Sequence, residues 1–489
     1  MLKLRSVDLK KVTVETLAIP VCEDSNIHEN KTIISVIEKA LSLKEFKGEN
    51  TDEMVLYDPP GLKAGRVILL GLGKLEKLDL ETLRAMAGKT VKKCIRKSLS
   101  QVLIAVPSAA KIKLEHTSIL TAMLEGAGLG NHLFERYKKK KKLKPLKKID
   151  LLVEPDSVKK YRRLPLRVET ICQGTVLARD WVSMPPNDKT PRRFSRLIEA
   201  SAAKENLKIT VFSERELKQK KFGAILAVAA GSHNPPGMVA LEYRPKGAGK
   251  SVVLVGKGVT FDSGGINLKP SAGLENMKSD MSGAAAVAAT LITAAKLKLK
   301  TNVVGIVPIV ENMPSGTASR PGDIIRCYNG KTVEIGNTDA EGRLILADAI
   351  SYAVKKYKPE ILIDMATLTG ACVVALGEKI AGVFSLDNAL AETILMSGEK
   401  TQERCWRMPL PEDYKELIKS DFADIKNVGS TNYGGAITAA LFLSEFVGDT
   451  RWAHIDIAGP SYIKKETAYC NAGGTGFGVR LLCDLLENL

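Results

Sequence analysis

No run of apolar residues in this 489-residue chain approaches the roughly 18 that a membrane-crossing helix needs, so no transmembrane span is expected. The stretch from Met1 to Lys10 carries charges where a secretory leader needs an apolar core, and a cytoplasmic protein is expected. The eight cysteines (Cys22, Cys94, Cys172, Cys327, Cys372, Cys405, Cys470 and Cys483) are scattered and form no CxxC pair. That excludes a disulfide framework and argues for reduced thiols. Cys372, within an apolar run, reads as a small core residue and not as a nucleophile. The five histidines (His28, His116, His132, His233 and His454) never fall at HxH or i,i+4 spacing. A histidine-built zinc site is therefore not expected, and any metal must be held by other ligands.

Hydrophobic residues make up 45% and charged residues 26%, which excludes a mainly disordered chain, a collagen and a coiled coil. The length exceeds what one core organises, so more than one domain is expected. Over the first 150 or so residues, strand-like runs (Val67–Gly71, Gln101–Val106) alternate with a helical stretch at Leu80–Arg96. Later come the short apolar runs Ser251–Val255, Asn302–Pro308, Ile361–Asp364 and Trp452–Asp456, of the kind buried parallel strands show. Helix-forming stretches at Gly283–Lys296 and Arg343–Lys356 lie among them. The fold class that follows is α/β in two domains: a smaller N-terminal α/β domain over 1–155, a linker helix and Pro-rich turn over 156–190, and a larger C-terminal α/β domain with a largely parallel central sheet over 191–489.

Lysine and arginine number 72 against 55 acidic residues, a net +17, and much of the excess sits in Lys138–Lys148. A patch for nucleic acid competes here with a solvated connector, and the connector is the stronger reading. The neighbouring aromatics, Phe134 and Tyr137, are too few to stack a single strand, so weak, salt-sensitive, non-specific DNA contact is the most expected of it.

In open α/β sheets ligands sit beyond the carboxyl ends of strands, and chemistry should be sought there. Directly after the run Ser251–Val255 come Lys257, Asp262, Gly264-Gly265, Lys269-Pro270 and Met277-Lys-Ser-Asp280. A second cluster, Asn337-Thr-Asp-Ala-Glu-Gly-Arg343, precedes a helical stretch. If that segment is extended, Asp339 and Glu341 share a face and converge. Alternatively, Asp339 and Glu341 merely stabilise the start of the following helix through its dipole, with Thr338 or Asp339 as cap, and Asp262 is an ordinary turn aspartate. Taken together, four carboxylates at glycine-rich strand ends would repel one another unless cations lie between them. Oxygen-rich sets favour divalent ions, and bridging carboxylates favour two.

The segment Asn337–Arg343 resembles, without a gap, the NTDAEGR signature of the cytosolic leucyl aminopeptidases. Val255–Gly265, Lys269-Pro270, Met277–Met281, Ile363–Gly370, Ala436–Ala440 and Trp452–Pro460 resemble other blocks of that family. Ser282 and Ser183 depart from its usual pattern. The resemblance implies a metal-dependent aminopeptidase that releases N-terminal residues, leucine and other apolar ones preferentially, by a hydroxide activated between two metals. It implies two divalent ions per subunit, Mn or Zn, with Asp262 and Glu341 bridging them. Lys257 and Asp280 would complete one site and Asp339 the other. Lys269 would face the developing oxyanion, and Arg343 would hold a bicarbonate that serves as base. Met277, Asn337, Thr367, Leu368 and Gly370 would line the substrate pocket. A homohexamer acting on peptides, away from membranes, is implied as well. The other reading, from a different class, is a DNA-binding accessory or regulatory protein that uses its basic N-terminal domain.

Overall fold

The structure is a computed structural model that describes residues 2–140, 142–205, 207–249 and 251–489. It divides into two compact units: Met1–Cys172 with Lys465–Ala472, and Gln173–Lys464 with Gly473–Leu489.

In the first unit a six-stranded sheet runs in the spatial order Leu2–Arg5, Lys148–Leu152, Gln101–Ala105, Leu17–Cys22, Arg66–Gly73, Glu53–Tyr57. The first five strands are parallel and the last is an antiparallel edge. Strand Arg66–Gly73 is apolar at consecutive positions because both of its faces are covered. Ile68 and Leu70 pack with Leu83, Ala87 and Val91, while Val67 and Leu69 pack with Ile33 and Ile37. Those partners lie on helices Leu80–Arg96 and Lys31–Ser42, whose first turns are capped by Asp79 and Asn30. The basic run lies in the connection between helix His116–Gly130 and strand Lys148–Leu152. Lys138 pairs with Glu135 at 3.2 Å and Lys148 with Asp150 at 3.2 Å. Lys139, Lys140 and Lys142 are exposed, and Lys141 lies outside the described residues.

The second unit holds a mixed sheet in the order Cys405–Arg407, Ala381–Phe384, Arg451–Asp456, Ile361–Ala366, Ser251–Gly256, Asn302–Asn312, Gly237–Tyr243, Lys208–Phe212. Its middle four strands, Arg451–Asp456 through Asn302–Asn312, are parallel. They are the apolar runs that the sequence marks, each buried on both faces by helices. Antiparallel neighbours flank them on either side. A short strand, Gly258–Asp262, pairs in parallel with the far end of Asn302–Asn312. Helices Ser282–Leu297 and Glu341–Tyr357 pack against this block. The polar stretch expected to carry one linker helix forms two, Pro155–Lys160 and Leu164–Ser183.

His28, in the first unit, is a test of that fold. Its ring lies buried with Nε2 2.7 Å from the Pro20 carbonyl. Burial pushes its pKa down to about 4, against the opposite pull of the Pro20 carbonyl and with some help from the Lys111 charge. A histidine depressed in the folded state stabilises fully above its unfolded pKa of about 6.5 and progressively less as pH falls toward the folded value. Hydrogen exchange of the strand Leu17–Cys22, corrected for intrinsic rates, should therefore lose protection between pH 6.5 and 4. His28→Gln should lose less over the same interval. Parallel profiles for the two proteins would contradict this account.

Candidate metal centre

Lys257, Asp262 and Glu341 leave the carboxyl end of a strand or open the helix beside it. Lys257 follows strand Ser251–Gly256, and its N–H donates to the Met365 carbonyl of the neighbouring strand at 3.1 Å. Asp262 ends strand Gly258–Asp262, and Glu341 is the first residue of helix Glu341–Tyr357. Asp280 closes the 3-10 turn Leu274–Ser279 that carries Met277. The Ser282 hydroxyl donates to the Ser279 carbonyl at 2.6 Å and so ties that turn to the next helix. The other departure, Ser183, accepts from Gly474 N–H at 3.0 Å.

Asp262, Asp280 and Glu341 are buried, and each brings a carboxylate oxygen within 4.8 Å of the others. Two lysines hold them. Lys257 Nζ lies 2.9 Å from Asp280 and 2.9 Å from Glu341, and donates to the Thr367 carbonyl at 2.9 Å. Lys269 Nζ lies 2.8 Å from Asp262 and 2.5 Å from Asp339. The chain is shaped for this approach. A Cβ on Gly342 would fall 2.6 Å from Lys257 Nζ, so the glycine between Glu341 and Arg343 makes room for the lysine. Gly264, at φ +89, turns the loop so that its N–H donates to Asp262 Oδ1 at 2.9 Å.

The expected convergence of Asp339 and Glu341 on an extended segment is not what forms. Residues 338–339 make a turn, with Ala340 N–H donating to the Asn337 carbonyl at 3.2 Å. Asp339 consequently faces Lys269, while Glu341 points into the Lys257 cluster. The capping alternative also falls. Ala340 occupies the helix N-cap without any side-chain cap bond, and the Thr338 hydroxyl donates instead to the Gly264 carbonyl at 2.6 Å.

Electrostatics follow from burial and like charge. Burial, with Asp262 adding to it, pushes Glu341 up to about 8 and Asp280 up to about 6, against the pull of Lys257. Burial and Asp262 also raise Asp339. Burial alone would lower Lys257 and Lys269, but the surrounding carboxylates hold both above the ordinary lysine value. Asp280 Oδ2 and Glu341 Oε2 are buried acceptors without a hydrogen bond. Buried polar atoms seldom stay unpaired, and two such oxygens on neighbouring carboxylates are what a hard divalent cation would satisfy. The donor set fits a metal.

Arg343 is buried, donates from Nη1 to the Asn427 carbonyl at 2.7 Å, and leaves Nε without a partner. Burial lowers its pKa to about 10, although Glu341 and Asp456 favour its charge. Asn337 braces the turn by accepting from Asp339 N–H at 2.7 Å. Thr367 joins the cluster through its hydroxyl, which donates to Asp280 Oδ1 at 2.7 Å. Leu368 and Gly370 follow on the same loop, at the start of helix Gly370–Leu376.

Sequence reasoning missed two asparagines. Asn312 donates from Nδ2 to Asp262 Oδ1 at 2.8 Å and to the Thr338 carbonyl at 3.1 Å, so one amide joins both loops. Its place at the end of a long strand was the available signal. Asn427 accepts from Gly336 N–H at 2.8 Å and donates to the Asn337 carbonyl at 2.8 Å. Nothing in its neighbourhood in sequence marks it.

Residues 176–483 match the catalytic domain of the cytosol aminopeptidase family, and residues 23–141 match its N-terminal domain. A probable cytosol aminopeptidase of Chlorobium phaeobacteroides is 41% identical, covering 98% of both chains. One from Geotalea uraniireducens is 45% identical over 91% of this chain and 90% of its own. Among solved structures, the bottromycin maturation enzyme BotP in complex with Mn superposes with a TM-score of 0.87 at 33% identity, covering 97% of this chain and 99% of its own. A mutant of tomato leucine aminopeptidase gives 0.88 at 31% identity, covering 100% and 96%. The chain belongs to the cytosol aminopeptidase family.

Because a ligand that binds only the folded state stabilises it, Mn2+ should raise the melting temperature of chelator-treated protein. The gain approaches about 2.7 kcal/mol at a hundredfold excess over Kd. Glu341→Gln should shrink the shift. An unchanged melting temperature in the wild type would show that the carboxylate cluster holds no such ion.

Proposed function

We propose that this chain is a metal-dependent aminopeptidase that carries two divalent ions, Mn or Zn, and removes N-terminal residues from peptides, preferring leucine and other apolar side chains. The observation that carries the proposal is the buried trio Asp262, Asp280 and Glu341, with unpaired oxygens on two of its members. Asp262, Asp280, Glu341, Lys257 and Asp339 would hold the two ions. Bound there, the ions would supply Lewis acidity and a hydroxide nucleophile at neutral pH.

Lys257 can serve as a ligand only as the neutral amine. The carboxylates that now keep it protonated are the same ones that cations would neutralise. With their charge taken up, burial is left as the dominant influence and favours loss of the proton. Lys269 is the more exposed of the two lysines, with 22% of its side chain accessible against 4% for Lys257. Its ammonium would meet the carbonyl oxygen of the scissile bond as negative charge develops there.

No side chain among these residues is an obvious general base. Arg343, with one edge bonded to Asn427 and Nε unpaired, suits capture of a small planar anion, and bicarbonate would fill that role. Met277, Asn337, Thr367, Leu368 and Gly370 would form the pocket for the first residue. An apolar pocket separates side chains by only about 1–3 kcal/mol per methylene, which makes for broad specificity. A homohexamer and a cytoplasmic location belong to the same reading and rest on the family. The DNA-binding reading draws no support from the basic run, two of whose lysines, Lys138 and Lys148, pair with neighbouring carboxylates.

Asp262→Ala and Glu341→Ala should each abolish hydrolysis of leucine amide. Near-normal turnover with full metal content in either would refute the ligand assignment. Lys269→Ala should lower kcat by roughly 100-fold or more while moving KM little, the scale for one electrostatic donor. A raised KM at unchanged kcat would make Lys269 a ground-state contact instead.

A further inference from the structure

Asp456 ends strand Arg451–Asp456 and stands opposite Ala366 in the adjacent parallel strand. It is buried, and its carboxylate is fully engaged. Oδ1 accepts from Leu368 N–H at 3.1 Å and from Ala458 N–H at 3.0 Å. Oδ2 accepts from the Thr369 hydroxyl at 2.7 Å. That hydroxyl also accepts from Cys372 N–H at 3.0 Å and so caps helix Gly370–Leu376. Two residues upstream of Thr369, the Thr367 carbonyl accepts from Lys257 and its hydroxyl donates to Asp280. The turn after strand Ile361–Ala366 is thus tied at one end to the carboxylate cluster and at the other to Asp456.

We propose that Asp456 is a positioning residue for the aminopeptidase reaction. Its carboxylate sets the 367–370 turn, and through that turn both the wall of the first-residue pocket and the seats of Lys257 and Asp280. The inference rests on the activity proposed above and on the place of Thr367, Leu368 and Gly370 in the pocket. The residue type matters because a carboxylate offers acceptors only. An amide in its place would present two donors on one side, and could not receive all three bonds. Bonds to a charged acceptor are also the stronger ones, which suits a turn that must not drift. A shift of about 1 Å at a reacting group can cost on the order of 100-fold in rate.

The test uses the full chain loaded with Mn2+ and compares kcat/KM for leucine amide and alanine amide. Asp456→Asn should lower the leucine-to-alanine ratio by about 10-fold or more, because the pocket wall loosens. Thr369→Val, which removes the shorter bond, should move the ratio the same way, and Thr369→Ser should restore it. A residue needed only for folding would reduce the active fraction, lower both rates equally and leave the ratio where it was. An unchanged ratio in Asp456→Asn, beside an active wild type, overturns the inference and leaves the proposed activity standing. If Asp456→Asn does not fold, the ratio in Thr369→Val decides in the same way. A wild type that cleaves neither amide overturns the activity reading and the inference with it.

Discussion

Carboxylates gathered in a buried space repel one another, and the surroundings of Asp262, Asp280 and Glu341 are organised to contain that repulsion. Two lysines thread between them, one from the loop after a central strand and one from the loop that follows Asp262. Amide groups from Gly264 and Asn312 fix the orientation of Asp262. What those contacts leave over, two buried oxygens without partners, is the opening for cations. Neutralising a cluster of this kind with dications changes the preferred state of every ionisable group in it.

The parallel sheet is what makes the convergence possible. Strands Ser251–Gly256, Ile361–Ala366 and Arg451–Asp456 run side by side in one direction, so their carboxyl ends deliver Lys257, Thr367 and Asp456 to a common edge. The side chains of the cluster leave where the backbone ladder stops and loops can be shaped freely. Small residues let the neighbouring elements pack closely. Gly342, in the first turn of helix Glu341–Tyr357, is one instance, since a side chain there would displace Lys257.

Much of this was legible in the residues. The parallel strands announce themselves as short apolar runs, and helix Leu80–Arg96 falls where the sequence marks a helical stretch. Lys257, Asp262, Asp280, Lys269, Asp339 and Glu341 stand together as anticipated from two glycine-rich loops. Local geometry was less readable. The turn at Asn337–Glu341 is met by Asn427, some 90 residues away, which donates to the Asn337 carbonyl. Asn312 and Asp456 were equally hidden, because an amide or a carboxylate at a strand end becomes informative only once its neighbour across the sheet is known.

The central claim is that the cluster holds two divalent ions that the reaction requires, and metal stoichiometry paired with activity addresses it most directly. Elemental analysis of protein loaded with Mn2+ and freed of excess should find two ions per chain, with leucine amide hydrolysis rising and falling with their occupancy. Hydrolysis that persists in protein shown to contain less than one ion per chain would contradict the account.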